Sequence, residues 1–122
     1  MSHTLSESAF WILTALAPGP LHGYAIMRAA ADASDGRVAL KATTLYASLE
    51  RLERDRLVEI ASEEVVDGRA RRSYRLTEHG GAALAGEVAE LEARARAARA
   101  RLASARIAPV GRTAPATMAS AW

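Results

Sequence analysis

Five residues near the middle of the chain, Lys41, Thr43, Thr44, Tyr46 and Ser48, can donate hydrogen bonds, and no acid interrupts them before Glu50. Further along, Arg69, Arg71, Arg72 and Arg75 follow Gly68, again with no acid among them. Compact hydroxyls and extended guanidinium groups of this kind suit contact with phosphate oxygens and base edges, where a carboxylate would be repelled. Catalytic chemistry has no comparable set. His3, His22 and His79 lack a spacing that would hold a metal, no close pair of acids lies in an apolar stretch, and no glycine-rich phosphate loop occurs. The absence of cysteine excludes disulfides, thiolate metal sites and cysteine nucleophiles. The sequence is therefore expected to carry no catalytic residue, metal site or cofactor.

The elements that position these donors follow from periodicity. Residues 6–20 begin with hydroxyl and acidic groups and stop at Pro18-Gly19-Pro20, which predicts a first helix. Its core stripe is Leu5, Ala9, Ile12 and Leu16, while Phe10 and Trp11 fall off it. That second face is covered either by the domain itself or by a partner subunit. The stretch LHGYAIMRAAADA predicts a second helix, with Ile26 and Ala30 inward, ending before the turn-forming SDGR. TTLYASLERLERDRL predicts a third, with Leu45, Leu49 and Leu52 inward and mixed charges from Glu50 onward. The period then changes to two: Val58 and Ile60, and later Tyr74 and Leu76, alternate with polar neighbours around Asp67-Gly68. A β-hairpin with a moderately long tip is expected. Alternation places Arg72 on the side of Tyr74 and Leu76, with Arg71 and Arg75 opposite.

Thr77 is a suitable cap for a fourth helix, although Gly80 stands where a capping box would place Glu. Leu84, Val88, Leu91, Ala95, Ala98 and Leu102 then recur at heptad spacing. A narrow seam of this kind meets either the body of the domain or another chain, and sustained heptads favour another chain. The remaining APVGRTAPATMASAW has the composition of a flexible tail.

Three helices followed by a hairpin match the order of a winged helix-turn-helix, in which the third helix enters the DNA major groove and the hairpin is the wing. The expected fold is mainly α with a small β-hairpin. It comprises a DNA-binding domain at residues 1–77, a long C-terminal dimerisation helix at 78–107 and a tail at 108–122. A chain of 122 residues fits one such domain with an appended helix. Net charge is only +2, so the distribution of charge matters more than its sum. Fifteen of the sixteen basic residues are Arg, a bias of the kind a GC-rich bacterial genome imposes, which discounts any single arginine. No run approaches the length of a membrane span or a secretory signal, so the expected location is the cytoplasm.

LHGYAIMRA, TTLYASLERLERDRLV and DGRARRSYRLTEHGGAAL resemble three successive signatures of the PadR family of bacterial transcriptional regulators. His22-Gly23-Tyr24, the Leu45-Tyr46 pair followed by Leu49 and Leu52-Glu53, and the run from Gly68 to Thr77 carry the resemblance. It implies a homodimer held by a C-terminal helix, bound to a palindromic operator in double-stranded DNA and usually repressing nearby genes until an effector binds. On that basis Tyr24 would approach the DNA backbone. Lys41, Thr43, Thr44, Tyr46 and Ser48 would meet the groove or its flanking phosphates, and Arg69, Arg71 and Arg72 would supply the wing contacts. The dimer interface would use Phe10, Trp11, Leu84, Val88, Leu91, Ala95, Ala98 and Leu102, with Phe10 and Trp11 also lining a site for a small apolar or aromatic effector. Two positions depart from the family pattern: Ala47 stands where Pro is common, and Arg56 where Gly is common before the wing.

Each donor also has a plainer reading, since Thr43 or Thr44 could cap the third helix and Tyr46 could pack on the surface. The serious rival is a winged-helix module that binds another protein and not DNA. Residues 41 to 79 hold eight basic and eight acidic side chains, which keeps that rival in play. Against it, the acids cluster at 50 to 67 and the bases at the two places expected to meet DNA.

Overall fold

The computed structural model describes residues 5–105. His3, residues 106–107 of the expected last helix and the expected tail at 108–122 lie outside them. The element order is α1 (Glu7–Leu16), β1 (Leu21–His22), α2 (Gly23–Ala33), α3 (Ala42–Arg54), β2 (Val58–Val66), β3 (Arg69–Leu76) and α4 (Glu78–Ala105). The strands form one antiparallel sheet in the order β1-β3-β2. The chain divides into two compact units, one ending at Val88 and one beginning at Ala89. No helix among the described residues is long and apolar enough to cross a membrane.

Helix α1 starts where Ser6 Oγ accepts the Ala9 N–H at 3.1 Å, with Glu7 in the first turn complementing the helix dipole. Its buried face is wider than the four-residue stripe, because Leu13 and Ala15 join Ala9, Ile12 and Leu16. Contact with α2, α3 and β3 together accounts for that width. Helix α2 starts two residues later than its composition indicates. Leu21 and His22 are extended and pair with Tyr74 and Ser73 of β3, adding a third strand to the expected hairpin. A two-residue strand has no visible period; pairing with residues more than 50 positions away, Leu21 with Tyr74 and His22 with Ser73, creates it. The helix ends at Ser34, buried yet satisfied, whose hydroxyl donates to the Ala31 carbonyl and accepts the Val38 N–H.

Helix α3 buries Leu45, Leu49 and Leu52, as the heptad-like spacing requires. Its N-cap is Lys41, which makes no side-chain capping bond, so neither Thr43 nor Thr44 is the cap. Both hydroxyls sit inside the first turn and are exposed. At the other end the Leu57 N–H donates to the Leu52 carbonyl and the Arg56 N–H to the Glu53 carbonyl, the paired bonds of a Schellman motif. Arg56 takes the left-handed position usually given to glycine, at φ 64°. Arg56 therefore completes the cap in a backbone conformation that costs a non-glycine residue strain. Arg56→Gly is expected to raise the unfolding free energy by about 0.5–1 kcal/mol, read as a higher urea midpoint. A lower midpoint would show that the arginine side chain contributes more than its backbone strain.

The hairpin ladder runs from Val58 opposite Leu76 to Val66 opposite Arg69. Asp67 and Gly68 both have positive φ, 53° and 78°, so the tip is a two-residue turn and shorter than expected. An irregularity between Ile60 and Ser62 leaves Ala61 without a partner. Thr77 then starts α4 as expected: its hydroxyl accepts the Gly80 N–H at 2.9 Å and donates to the Arg56 carbonyl at 2.6 Å. Ala83 and Leu84 pack against the core, which leaves the unpartnered part of the heptad seam to begin at Val88.

Candidate nucleic-acid interface

Beyond Ser73, the edge of β3 that faces β1 has no strand partner, because β1 ends where α2 begins. An open groove of about 970 Å³ results. Arg69, Ala70, Arg71 and Arg72 form one wall, with Val66 and Asp67 at its tip, and His22, Gly23, Tyr24 and Tyr46 form the other. Tyr46 reaches it because Gly23 has no side chain; a Cβ there would overlap the Tyr46 hydroxyl. Both tyrosines are presented to solvent, Tyr24 at 63% and Tyr46 at 51% exposure. The Arg28 guanidinium stands 6.0 Å from the Tyr24 ring centroid, at the outer limit of a cation–π contact.

Five of the expected DNA-binding residues thus meet in one groove: Tyr24, Tyr46, Arg69, Arg71 and Arg72. Thr43, Thr44 and Ser48 do not. They line a shallower depression on the far side of α3 with Ser6, Ser8, Ala47 and Arg51. Helical geometry explains the separation, since at 100° per residue Tyr46 and Thr44 lie about 160° apart around the axis. Thr43 and Ala47 occupy the face between them, Ser48 is half-buried, and Lys41 is exposed but lines neither depression. The charge pattern of α3 puts Arg51 on the solvated face and gives it no part in the site. Its position seven residues after Thr44 was the available signal that the two share a side.

The electrostatics of the wing correct one expectation. The spacing along the chain separates the acids at 50 to 67 from the wing arginines, but the tight hairpin folds β2 directly onto β3. Glu59 stands opposite Arg75, Glu63 opposite Arg72 and Glu64 opposite Arg71. Two of these close as ion pairs, Arg72 Nε to Glu63 Oε2 at 2.5 Å and Arg75 Nε to Glu59 Oε2 at 2.8 Å. The Glu63 carboxylate, with a smaller contribution from Tyr74, makes the Arg72 guanidinium hold its proton more tightly than an isolated arginine does. Among the described residues, Lys41, Arg51, Arg69 and Arg71 have no such ion pair.

Away from both depressions, Phe10 and Trp11 stack edge to face with centroids 5.1 Å apart, and the indole N–H donates to Glu7 Oε2 at 2.9 Å. Each ring is half-buried. On α4, Val88, Leu91 and Leu102 are 38–40% exposed, and Ala95 and Ala98 between them are exposed too.

Residues 12–86 match the model of the transcriptional regulator PadR-like family, well over half of the chain. The chain belongs to that family. Transcriptional regulator Rv3488 of Mycobacterium tuberculosis is 53% identical to it over 53 residues, covering 43% of this chain. The match spans about half of that relative, 49% of its length. A PadR family transcription regulator from Clostridium difficile R20291 has the same fold, with TM-score 0.66 and 22% identity over 80% of this chain and 99% of that one. Bacillus subtilis PadR, solved in complex with operator DNA, matches with TM-score 0.59 and 21% identity over 66% of this chain and 45% of that one. The match covers every residue of the groove and, apart from Ser6 and Ser8, the second depression, and ends within the first turns of α4.

Proposed function

We propose that this PadR-like regulator binds double-stranded DNA as a homodimer in the cytoplasm and represses its own or adjacent genes through a palindromic operator. The groove that joins Tyr24 and Tyr46 to Arg69, Arg71 and Arg72 carries the reading. It borders the donor-rich start of α3, so a helix in the major groove would have aromatic and cationic groups on one flank and Thr44, Ser48 and Arg51 on the other. Phosphates of the two strands bordering that groove are the matching partners. The fold shared with Bacillus subtilis PadR, which was solved in complex with operator DNA, supports DNA as the partner. The exposed seam from Val88 to Leu102 is the surface a second copy would cover, and the Phe10–Trp11 pair is where a small apolar or aromatic effector would enter to release the DNA.

The carboxylates laced through the wing favour the rival reading of a protein-binding module. Affinity for the protein's own promoter, measured across a salt series, separates the two. Several phosphate contacts give a steep negative slope of log K against log salt, about 0.9 per contact, whereas a value near zero would sink the DNA reading. Arg71→Ala is expected to reduce that slope by about 1 and weaken binding similarly on all sequences; Thr44→Ala is expected to change base preference. Intact binding in both variants would mean that the DNA face lies elsewhere.

A further inference from the structure

The wing holds two ion pairs of the same chemistry in different places. Arg72 lines the groove and is bound by Glu63; Arg75, bound by Glu59, lies outside it. The Arg72–Glu63 pair is half exposed on both sides, 53% and 52%, so water and salt weaken it and its acid partner can be exchanged. A DNA phosphate offers the same guanidinium an equivalent charge-assisted contact. Among the described residues Arg69 and Arg71, beside it in the groove wall, close no ion pair, although Glu64 stands opposite Arg71 in the ladder.

We infer that Glu63 sets the affinity of this protein for DNA by competing with a backbone phosphate for Arg72. The inference rests on the DNA-binding reading above and adds to it a residue whose removal tightens binding. In the free protein the Glu63 carboxylate holds the Nε edge of the guanidinium, so a phosphate approaching Arg72 meets the Glu63 charge and gains the Nε contact only by displacing that carboxylate. Each protomer of a dimer would lose binding free energy in this way at its own wing.

The test is a thermodynamic cycle on the full chain, using a labelled duplex of arbitrary sequence at low salt, since phosphate contacts are independent of sequence. Anisotropy is read for wild type, Glu63→Gln, Arg72→Ala and the double variant. The expected gain for Glu63→Gln is about three- to fivefold in affinity for each wing engaged, the modest size a half-exposed pair allows. That gain is expected to disappear in the Arg72→Ala background. Glu59→Gln removes the same charge from the same strand and is expected to leave affinity unchanged. A gain that persists without Arg72, or that Glu59→Gln reproduces, would reduce Glu63 to a general field effect and overturn the inference, as would no gain at all. In each of those outcomes wild type still binds. A wild type that leaves the duplex unbound at low salt overturns the DNA-binding reading, and the inference with it.

Discussion

Gly80→Ala will unfold at a markedly lower urea concentration than wild type, with a loss of about 2–4 kcal/mol. Propensity alone points the other way, because alanine in place of a helical glycine normally adds about 1 kcal/mol. Gly80 is buried in the first turn of α4, and a Cβ there would overlap the Leu57 carbonyl. That carbonyl is backbone and cannot swing aside as a side-chain tip can. It also accepts the Thr77 N–H at 3.1 Å, while Thr77 bonds both the Arg56 carbonyl and the Gly80 N–H. Relieving the overlap would break the junction that ties the end of α3 to the start of α4 across the base of the wing. Gly81 supplies the control, since a Cβ there meets nothing, and Gly81→Ala is expected to stabilise the protein by about 0.5–1 kcal/mol. Equal stabilisation by both substitutions would show that the close approach at Gly80 is absent in solution.

Gly80 also illustrates what the sequence conceals. Read locally, it is a missing Glu in a capping box and indicates a soft helix start. The reason for glycine lies 23 positions away, in a carbonyl that no local pattern contains. Features set by local chemistry were legible: the Leu45, Leu49, Leu52 stripe, the Asp67-Gly68 turn and the Thr77 cap all follow from helical period or turn geometry. Features set by pairing were not. The β1 strand exists only because β3 offers an edge, and the wing acids met the wing arginines only when the hairpin closed. The candidate site divides along the same line. Its residue types were visible, but the grouping of Tyr24 with Tyr46 depends on the missing Cβ of Gly23, and the separation of Thr44 from Tyr46 on helical phase.

Leu91→Arg is expected to convert the homodimer proposed above to a monomer by sedimentation, from twice the 13.0 kDa chain mass to a single chain. Along the 28 residues of α4 only Gly80 is buried within one chain. Val88, Leu91 and Leu102 share one face, and the alanines at 95 and 98 lie between them with room for close helix approach. In a symmetric dimer one substitution places two unpaired charges in the covered seam. At roughly 3–5 kcal/mol for each uncompensated buried charge, association weakens by about two to four orders of magnitude per charge. Ala93→Arg adds the same charge about 200° away around the helix and is expected to leave the dimer intact. An unchanged dimer for Leu91→Arg would mean that this seam is not the dimer contact. Operator binding provides the second readout, because a monomer engages one half-site where the dimer engages two, about 34 Å apart. Loss of the dimer should therefore lower affinity for the full palindrome to that for an isolated half-site. A monomeric variant that still distinguished the full palindrome from the half-site would separate operator recognition from assembly through α4.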